Sequence, residues 1–284
     1  MQYPVYIEIG TLKVLLHPVL EFAGMFIGFR YFLYLRKKQG DSIKTDNRIW
    51  IIIGAIFGAL IGSRLVGGLE DPHALFSSKN PLLYFYQNKT VLGGFLGGLF
   101  GVELMKKLVH EKNNSGDLFT FPMMLALMIG RIGCFSMGVY EETYGNTTAF
   151  FTGMDLGDGV LRHPVALYEI FFLCCLWFGL VQIEKKYMLA DGSRFKIFMI
   201  AYIAFRFILD FIKPHYTFKF GLSTIQIVCV LGLIYYLPFI LNPKTLTSPL
   251  TPTSPQPSPR PNGSARRAKE REKEQRRGEL KQKN

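Results

Sequence analysis

Seven apolar blocks of about 20 residues, separated by short polar segments, constrain this chain more than any other feature. A bilayer core takes about 20 helical residues to cross. Backbone polar groups inside that core must pair within the segment, which favours helices. The blocks fall at about 18–35, 49–69, 91–109, 118–138, 164–183, 195–212 and 222–241. The fold class expected is an all-α polytopic membrane protein of about seven transmembrane helices.

The connecting segments set its orientation. Segments 36–48, 106–117, 184–196 and 242–284 hold five, three, four and eleven Lys or Arg. Their alternates, 1–17, 70–90, 139–163 and 213–221, hold one, two, one and two. Lys and Arg mark the cytoplasmic side, so the amino terminus is expected outside and the carboxyl terminus in the cytoplasm.

The tail carries much of the net charge of +12, with eleven basic residues against four Glu. A basic tail beside a membrane is explained by topology and anionic lipid, so no nucleic-acid partner is implied. Residues 247–261 alternate Pro with Ser and Thr, and 265–284 are almost wholly charged. Such stretches have little to bury and are expected to be disordered. Two regions follow: a membrane domain over 1–241 and a tail over 242–284. No cleavable signal peptide is expected, because the first strong apolar run starts near Pro18 without a basic flank. The four cysteines, Cys134, Cys174, Cys175 and Cys229, lie in apolar blocks without the spacing of a zinc site. Neither a metal nor an organic cofactor is expected.

Four arginines lie within the blocks: Arg30, Arg64, Arg131 and Arg206. Arg30 stands near a helix end and can snorkel. The other three ask for a partner, a wet cavity or an anion, because a guanidinium in hydrocarbon is costly. Arg131 lies between Gly130 and Gly133, small residues that let backbone or ligand come close. Tyr202, Arg206, Asp210 and Lys213 are spaced by four, four and three, so they share one helix face. An internal Arg206–Asp210 pair would satisfy one arginine without any ligand. With few acids nearby, three arginines leave spare positive charge, and a phospholipid phosphate suits guanidinium geometry.

Two glycine patterns stand out. Gly54, Gly58 and Gly62 recur every four residues, which lets membrane helices touch backbone to backbone. Gly93, Gly94, Gly97, Gly98 and Gly101 crowd one run, where either packing or a cavity wall is consistent with the density. Residues 70–90 are too polar to span and read as a short outer helix or lid. The run Arg162-His163-Pro164 leads into Leu167-Tyr168-Glu169. Glu169 there can act as a base or simply neutralise a buried arginine, and His163 can act as a base or cap the helix.

At these residues the chain resembles the bacterial prolipoprotein diacylglyceryl transferase family over about 18–241. The matching motifs are Gly130-Arg131-Ile132-Gly133 with Phe135 and Gly138, Tyr144-Gly145, Arg162-His163-Pro164, Leu167-Tyr168-Glu169, Tyr202 and Phe205-Arg206, and the glycine run. The resemblance implies a multi-pass protein of the bacterial inner membrane that transfers diacylglyceryl from phosphatidylglycerol to the lipobox cysteine thiol in a preprolipoprotein signal peptide. It implies Arg131, Arg206 and Tyr202 as catalytic. It places Arg131, Gly130, Gly133, Gly145, Arg64, His163, Glu169, Gly97 and Gly98 around the substrate. The nucleophile would be the substrate's cysteine, not Cys134.

The sequence departs from the family pattern at four points, the mildest being Asp210 and Lys213, which stand where Glu and Arg are more usual. Leu96 replaces a histidine, Cys134 replaces an asparagine, and two extra residues lie near Glu141-Glu142. These departures carry a second expectation: a catalytically altered paralogue that binds phospholipid without turnover or uses a different acceptor. A small-anion transporter is less consistent, since no internal repeat is evident.

Overall fold

Each apolar block forms one helix in the computed structural model, which describes residues 2–219 and 221–247. The long helices are α1 (Leu16–Gln39), α2 (Thr45–Gly68), α5 (Val91–Leu108), α6 (Asp117–Met137), α7 (Val165–Lys186), α8 (Ser193–Asp210) and α9 (Thr224–Leu241). Two short helices, α3 (Pro72–Ser77) and α4 (Pro81–Gln87), occupy the segment read as a lid. Each starts with proline behind a capping side chain, Asp71 or Asn80, that accepts a backbone N–H three residues on.

Among the described residues, α1, α2, α6, α7 and α9 are long and apolar enough to cross a membrane. The other two long helices are more charged: α5 contains Glu103, Lys106 and Lys107, and α8 contains Arg194, Lys196, Arg206 and Asp210. Phe22, Phe57, Phe100, Phe171, Ile208 and Leu231 point outward and are between 61 and 72% exposed. An apolar surface of that extent marks a membrane-facing exterior. The chain is therefore a predominantly helical, polytopic membrane protein.

Two seams of small residues bring the helices together. On the first, Gly54, Gly58 and Gly62 of α2 meet Gly93, Gly97 and Gly101 of α5. A methyl group added at Gly54 would lie 2.7 Å from the Gly101 carbonyl oxygen, and one at Gly62 would lie 2.7 Å from the Gly97 Cα. On the second, Gly24 and Gly28 of α1 sit against the backbone of α6, where a methyl would fall 2.8 Å from Ala126 O and 2.9 Å from Pro122 O. Without a hydrophobic drive between helices in lipid, such close backbone contact is what dispersion can exploit. The apolar core, including Leu92, Met124, Leu173, Phe198, Ile203 and Cys229, lies among α5 to α9.

The structure adds elements that the hydropathy reading lacks. Tyr6–Ile9 (β1) and Leu12–Leu15 (β2) form an antiparallel hairpin ahead of α1. Met154–Asp155 (β3) pairs with Leu161–Arg162 (β4) in the long segment before α7. At the end where the basic connections gather, Asp41 binds Arg48 at 2.5 Å and Arg36 at 2.8 Å, and Arg48 also donates to Ser115 O. The tail boundary at 242 is displaced: Pro243–Leu246 forms a 3-10 turn, and Thr247 bridges to Leu189. The expected disorder of 248–284 lies outside the described residues.

Candidate functional site

The buried charges converge on Glu169. α7 places this carboxylate, fully buried, one turn inside its first residue. Its Oε1 lies 2.9 Å from Arg131 Nε and accepts the Tyr202 hydroxyl at 2.8 Å. Its Oε2 accepts from an Arg206 terminal nitrogen at 3.4 Å. Arg131 comes from α6, while Tyr202 and Arg206 come from consecutive turns of α8. The expected internal pair of Arg206 with Asp210 is not formed. Asp210 instead accepts the Ser223 hydroxyl and lies 3.7 Å from His215 Nδ1. Ser223 caps α9, so its hydroxyl also holds the Gln226 N–H.

One carboxylate shared by two guanidiniums leaves a positive charge over. Arg206 Nε is buried without a hydrogen-bond partner among the described residues. Arg131 directs a terminal nitrogen to Cys134 Sγ at 3.5 Å, a weak acceptor for so strong a donor. Both arginines line a cavity of about 1320 Å³ that runs between the helices. Phe95, packed edge-on to Tyr202 at 5.1 Å, forms part of its wall. The site therefore offers an anion two desolvated guanidinium groups beside an apolar wall, and phosphate matches that geometry.

The glycine-rich α5 serves both purposes at once. Gly93, Gly97 and Gly101 form the seam with α2, while Gly94 and Gly98 face the cavity. The helix stays unbroken through the run. Gly130 also lines the cavity, and nothing lies within 4 Å of a methyl placed there. Arg64 stands on the cavity wall, where it donates to the Tyr86 carbonyl and covers the Tyr86 ring at 5.0 Å. The lid segment thus holds the third arginine.

Four of the residues expected around the substrate, like Glu169, are not on the cavity lining but make close contacts within the fold. Gly97 is spent on the helix seam. Gly133 packs on α1, where a methyl would meet His17 O at 3.2 Å. Gly145 fits against His163, with no room for a side chain, and donates its N–H to the His163 carbonyl. His163 itself pairs through Nδ1 with the Tyr168 hydroxyl at 3.1 Å, which in turn meets Thr152. These residues shape the entry to α7 and the contacts of α6 with α1.

Further charged groups face the cavity, among them Asp210, Glu70 and Lys213. Glu70 follows α2 and Lys213 follows α8. Burial pushes the Glu70 carboxyl up from its ordinary range and the Lys213 ammonium down, the latter aided by Arg206. Lys213 was legible as part of the polar stripe, whereas Glu70 had no periodic signal to reveal it. Leu96, the residue in place of a histidine, lies on the α9 side of α5, near Gly232 and among the core side chains.

Fold and site together define an integral membrane protein whose helices enclose an arginine-lined cavity built around one buried carboxylate. The chain belongs to the prolipoprotein diacylglyceryl transferase family, whose model matches residues 4–241. It is similar to the phosphatidylglycerol–prolipoprotein diacylglyceryl transferase of Dehalococcoides mccartyi, with 27% identity covering 84% of this chain and 92% of the relative. The enzyme of that name from Campylobacter hominis is 29% identical over 85% of this chain and 92% of its own length. The one from Wolbachia pipientis is 30% identical over 82% and 94%.

Proposed function

We propose that this protein transfers the diacylglyceryl group of phosphatidylglycerol to the lipobox cysteine thiol of preprolipoproteins. In that reaction the acceptor sulfur forms a C–S bond to the glyceryl carbon as the C–O bond to phosphate breaks. Glycerol phosphate leaves and the thiol proton is released. Negative charge grows on the departing phosphate, and fixed positive groups at that point lower the barrier. The single observation that carries the reading is Arg131 and Arg206 sharing Glu169 at the wall of the cavity, which leaves one charge for the phosphate.

Each residue then has a role. Glu169 and the Tyr202 hydroxyl hold Arg131 in a fixed orientation, so little reorganisation is needed when charge develops. Arg131 and Arg206 bind the phosphate. Gly98, Gly94 and Gly130 leave room beside it for the lipid. Arg64, clamped by Tyr86, marks the rim through which the headgroup enters.

All seven long helices cross the bacterial inner membrane in this reading, with the amino terminus outside. Support comes from the basic connections 36–48, 106–117 and 184–196, which alternate with poorly basic ones. The charges of α5 and α8 are compatible with spanning, because Arg206 and Asp210 point into the bundle and the α5 lysines lie in its last turn. The direct test is release of glycerol phosphate from phosphatidylglycerol by purified protein. Release that requires a lipobox peptide and disappears in both Arg131→Ala and Arg206→Ala supports the assignment; release retained in both variants overturns it.

A further inference from the structure

The turn at the head of α1 and the end of α6 brings together three residues of metal-binding chemistry. His17 lies in the first turn of α1, Cys134 lies one turn beyond Arg131 on α6, and Glu141 follows the 3-10 turn Gly138–Tyr140. One ligand atom from each lies within 4.8 Å of the other two. His17 Nδ1 is 2.5 Å from Glu141 Oε2, and its Nε2 faces Glu21 Oε2 at 3.6 Å. Glu21 is in turn held by Lys89 at 3.0 Å. All three candidate ligands line the central cavity.

We propose that His17, Cys134 and Glu141 form a zinc(II) site with its fourth position open to the cavity. Imidazole nitrogen, thiolate sulfur and carboxylate oxygen are the donors zinc takes, and three protein ligands with one open position are its usual catalytic arrangement. Tetrahedral coordination sets such donors about 3.3–3.8 Å apart, so side-chain ends here need to move by about 1 Å. Zinc replaces the proton between His17 and Glu141, and the Cys134 proton is released as the metal binds. Thiolate and carboxylate together neutralise the divalent ion, so it adds no net charge beside Arg131. Arg131 already directs a nitrogen to the sulfur at 3.5 Å. Glu21 on the far side of His17 is the outer carboxylate partner that fixes a ligating imidazole.

The scaffold around the donors is firm. Gly133 lets α6 lie against His17, and Val5 donates its N–H to Ser136 O, which ties the preceding hairpin to the same helix end. Two of the three donors occupy points where this chain departs from the family pattern: Cys134 stands for asparagine, and Glu141 lies at the two extra residues. Sequence spacing could not reveal the site, since His17 lies far along the chain from Cys134 and Glu141.

The site has a consequence that rests on the transferase reading, although the site itself does not. A zinc-bound thiol is held as thiolate at neutral pH. The open position would suit the acceptor cysteine, whose sulfur zinc would hold in its thiolate form.

The test is metal analysis of full-length protein purified in detergent without chelator or immobilised metal. Wild-type protein should retain about one zinc per chain after loading and desalting, in keeping with a dedicated site. Cys134→Ser and His17→Ala should each lose most of it while eluting as the same monodisperse species. Cobalt(II) in place of zinc should give a near-ultraviolet thiolate charge-transfer band that vanishes in Cys134→Ser. Wild-type protein that retains no more zinc than Cys134→Ser, or that binds cobalt without that band, overturns the proposal. Zinc bound without transfer activity would count against the transferase alone; transfer by protein that binds no zinc would count against the site alone.

Discussion

Replacing Glu169 with glutamine removes the one negative charge that two buried guanidiniums share while keeping the side-chain volume. Oε1 is 2.9 Å from Arg131 Nε and 2.8 Å from the Tyr202 hydroxyl, and Oε2 is 3.4 Å from Arg206. A unit charge pair near 4 Å is worth about 4 kcal/mol at an effective dielectric constant of about 20. Leaving a buried charge without its partner costs roughly 3–5 kcal/mol in measured cases. We expect Glu169→Gln to be destabilised by about that amount. Phosphatidylglycerol then meets two unneutralised arginines in place of one. A ligand at about 100 times its Kd stabilises by about 2.7 kcal/mol, so the tighter-binding variant should gain more from a given lipid concentration than wild type. Thermal unfolding in detergent, with and without phosphatidylglycerol, reads both effects. An unchanged midpoint in Glu169→Gln, with the same lipid response as wild type, would refute the shared carboxylate.

Arg131→Ala and Arg206→Ala should each lower transfer by about 10²–10³-fold, the usual loss when one group that stabilises developing charge is removed; initial rates on a lipobox peptide measure it. The two faces of α5 should separate cleanly. Gly97→Leu forces apart the seam with α2, where a methyl already falls 2.8 Å from Gly62 Cα, and should lower the yield of folded protein. Gly98→Leu meets only ordinary contacts at 3.5 Å and should fold, yet bind less lipid in native mass spectrometry. Asp41→Asn should cost roughly 3–5 kcal/mol, because it strands Arg48, whose side chain is 2% exposed. Burial alone would raise the Asp41 carboxyl, but the Arg48 guanidinium and the Ile43 N–H hold it below its ordinary range. Its contribution is therefore present above the unfolded value near 4 and lost as pH falls through the lower folded value. Acid unfolding of wild type but not of Asp41→Asn should show that loss.

The seven long helices were legible because apolar helical segments show as 20-residue hydropathy blocks, whether they are buried in lipid or against one another. The hairpin Tyr6–Leu15 and the two-residue strands before α7 were not, since so few residues give no alternation to read. Arg131 and Arg206 announced themselves by the cost of charge in an apolar run. Glu169 was readable as a neutraliser of a buried arginine, but not as the partner of both: it is 38 residues from Arg131, and only the packing of α6, α7 and α8 brings the three together. Tyr202 and Arg206 sit four apart on one face, so their cooperation was readable, but the same periodicity offered Asp210 as an equally good partner for Arg206, and the structure pairs Asp210 with Ser223 instead. Gly97 and Gly98 show the limit most clearly. Adjacent glycines look alike in sequence, yet one is a contact surface and the other a cavity wall, because successive helical residues point about 100° apart.

The most direct test gives purified protein phosphatidylglycerol together with a lipobox peptide, and follows the peptide by mass spectrometry. The account predicts a mass gain of one diacylglyceryl group on the cysteine peptide, stable as a thioether, and none on its Cys-to-Ser counterpart. A cysteine peptide that stays unmodified while the protein binds phosphatidylglycerol through Arg131 would contradict the transferase and leave a lipid-binding scaffold in its place.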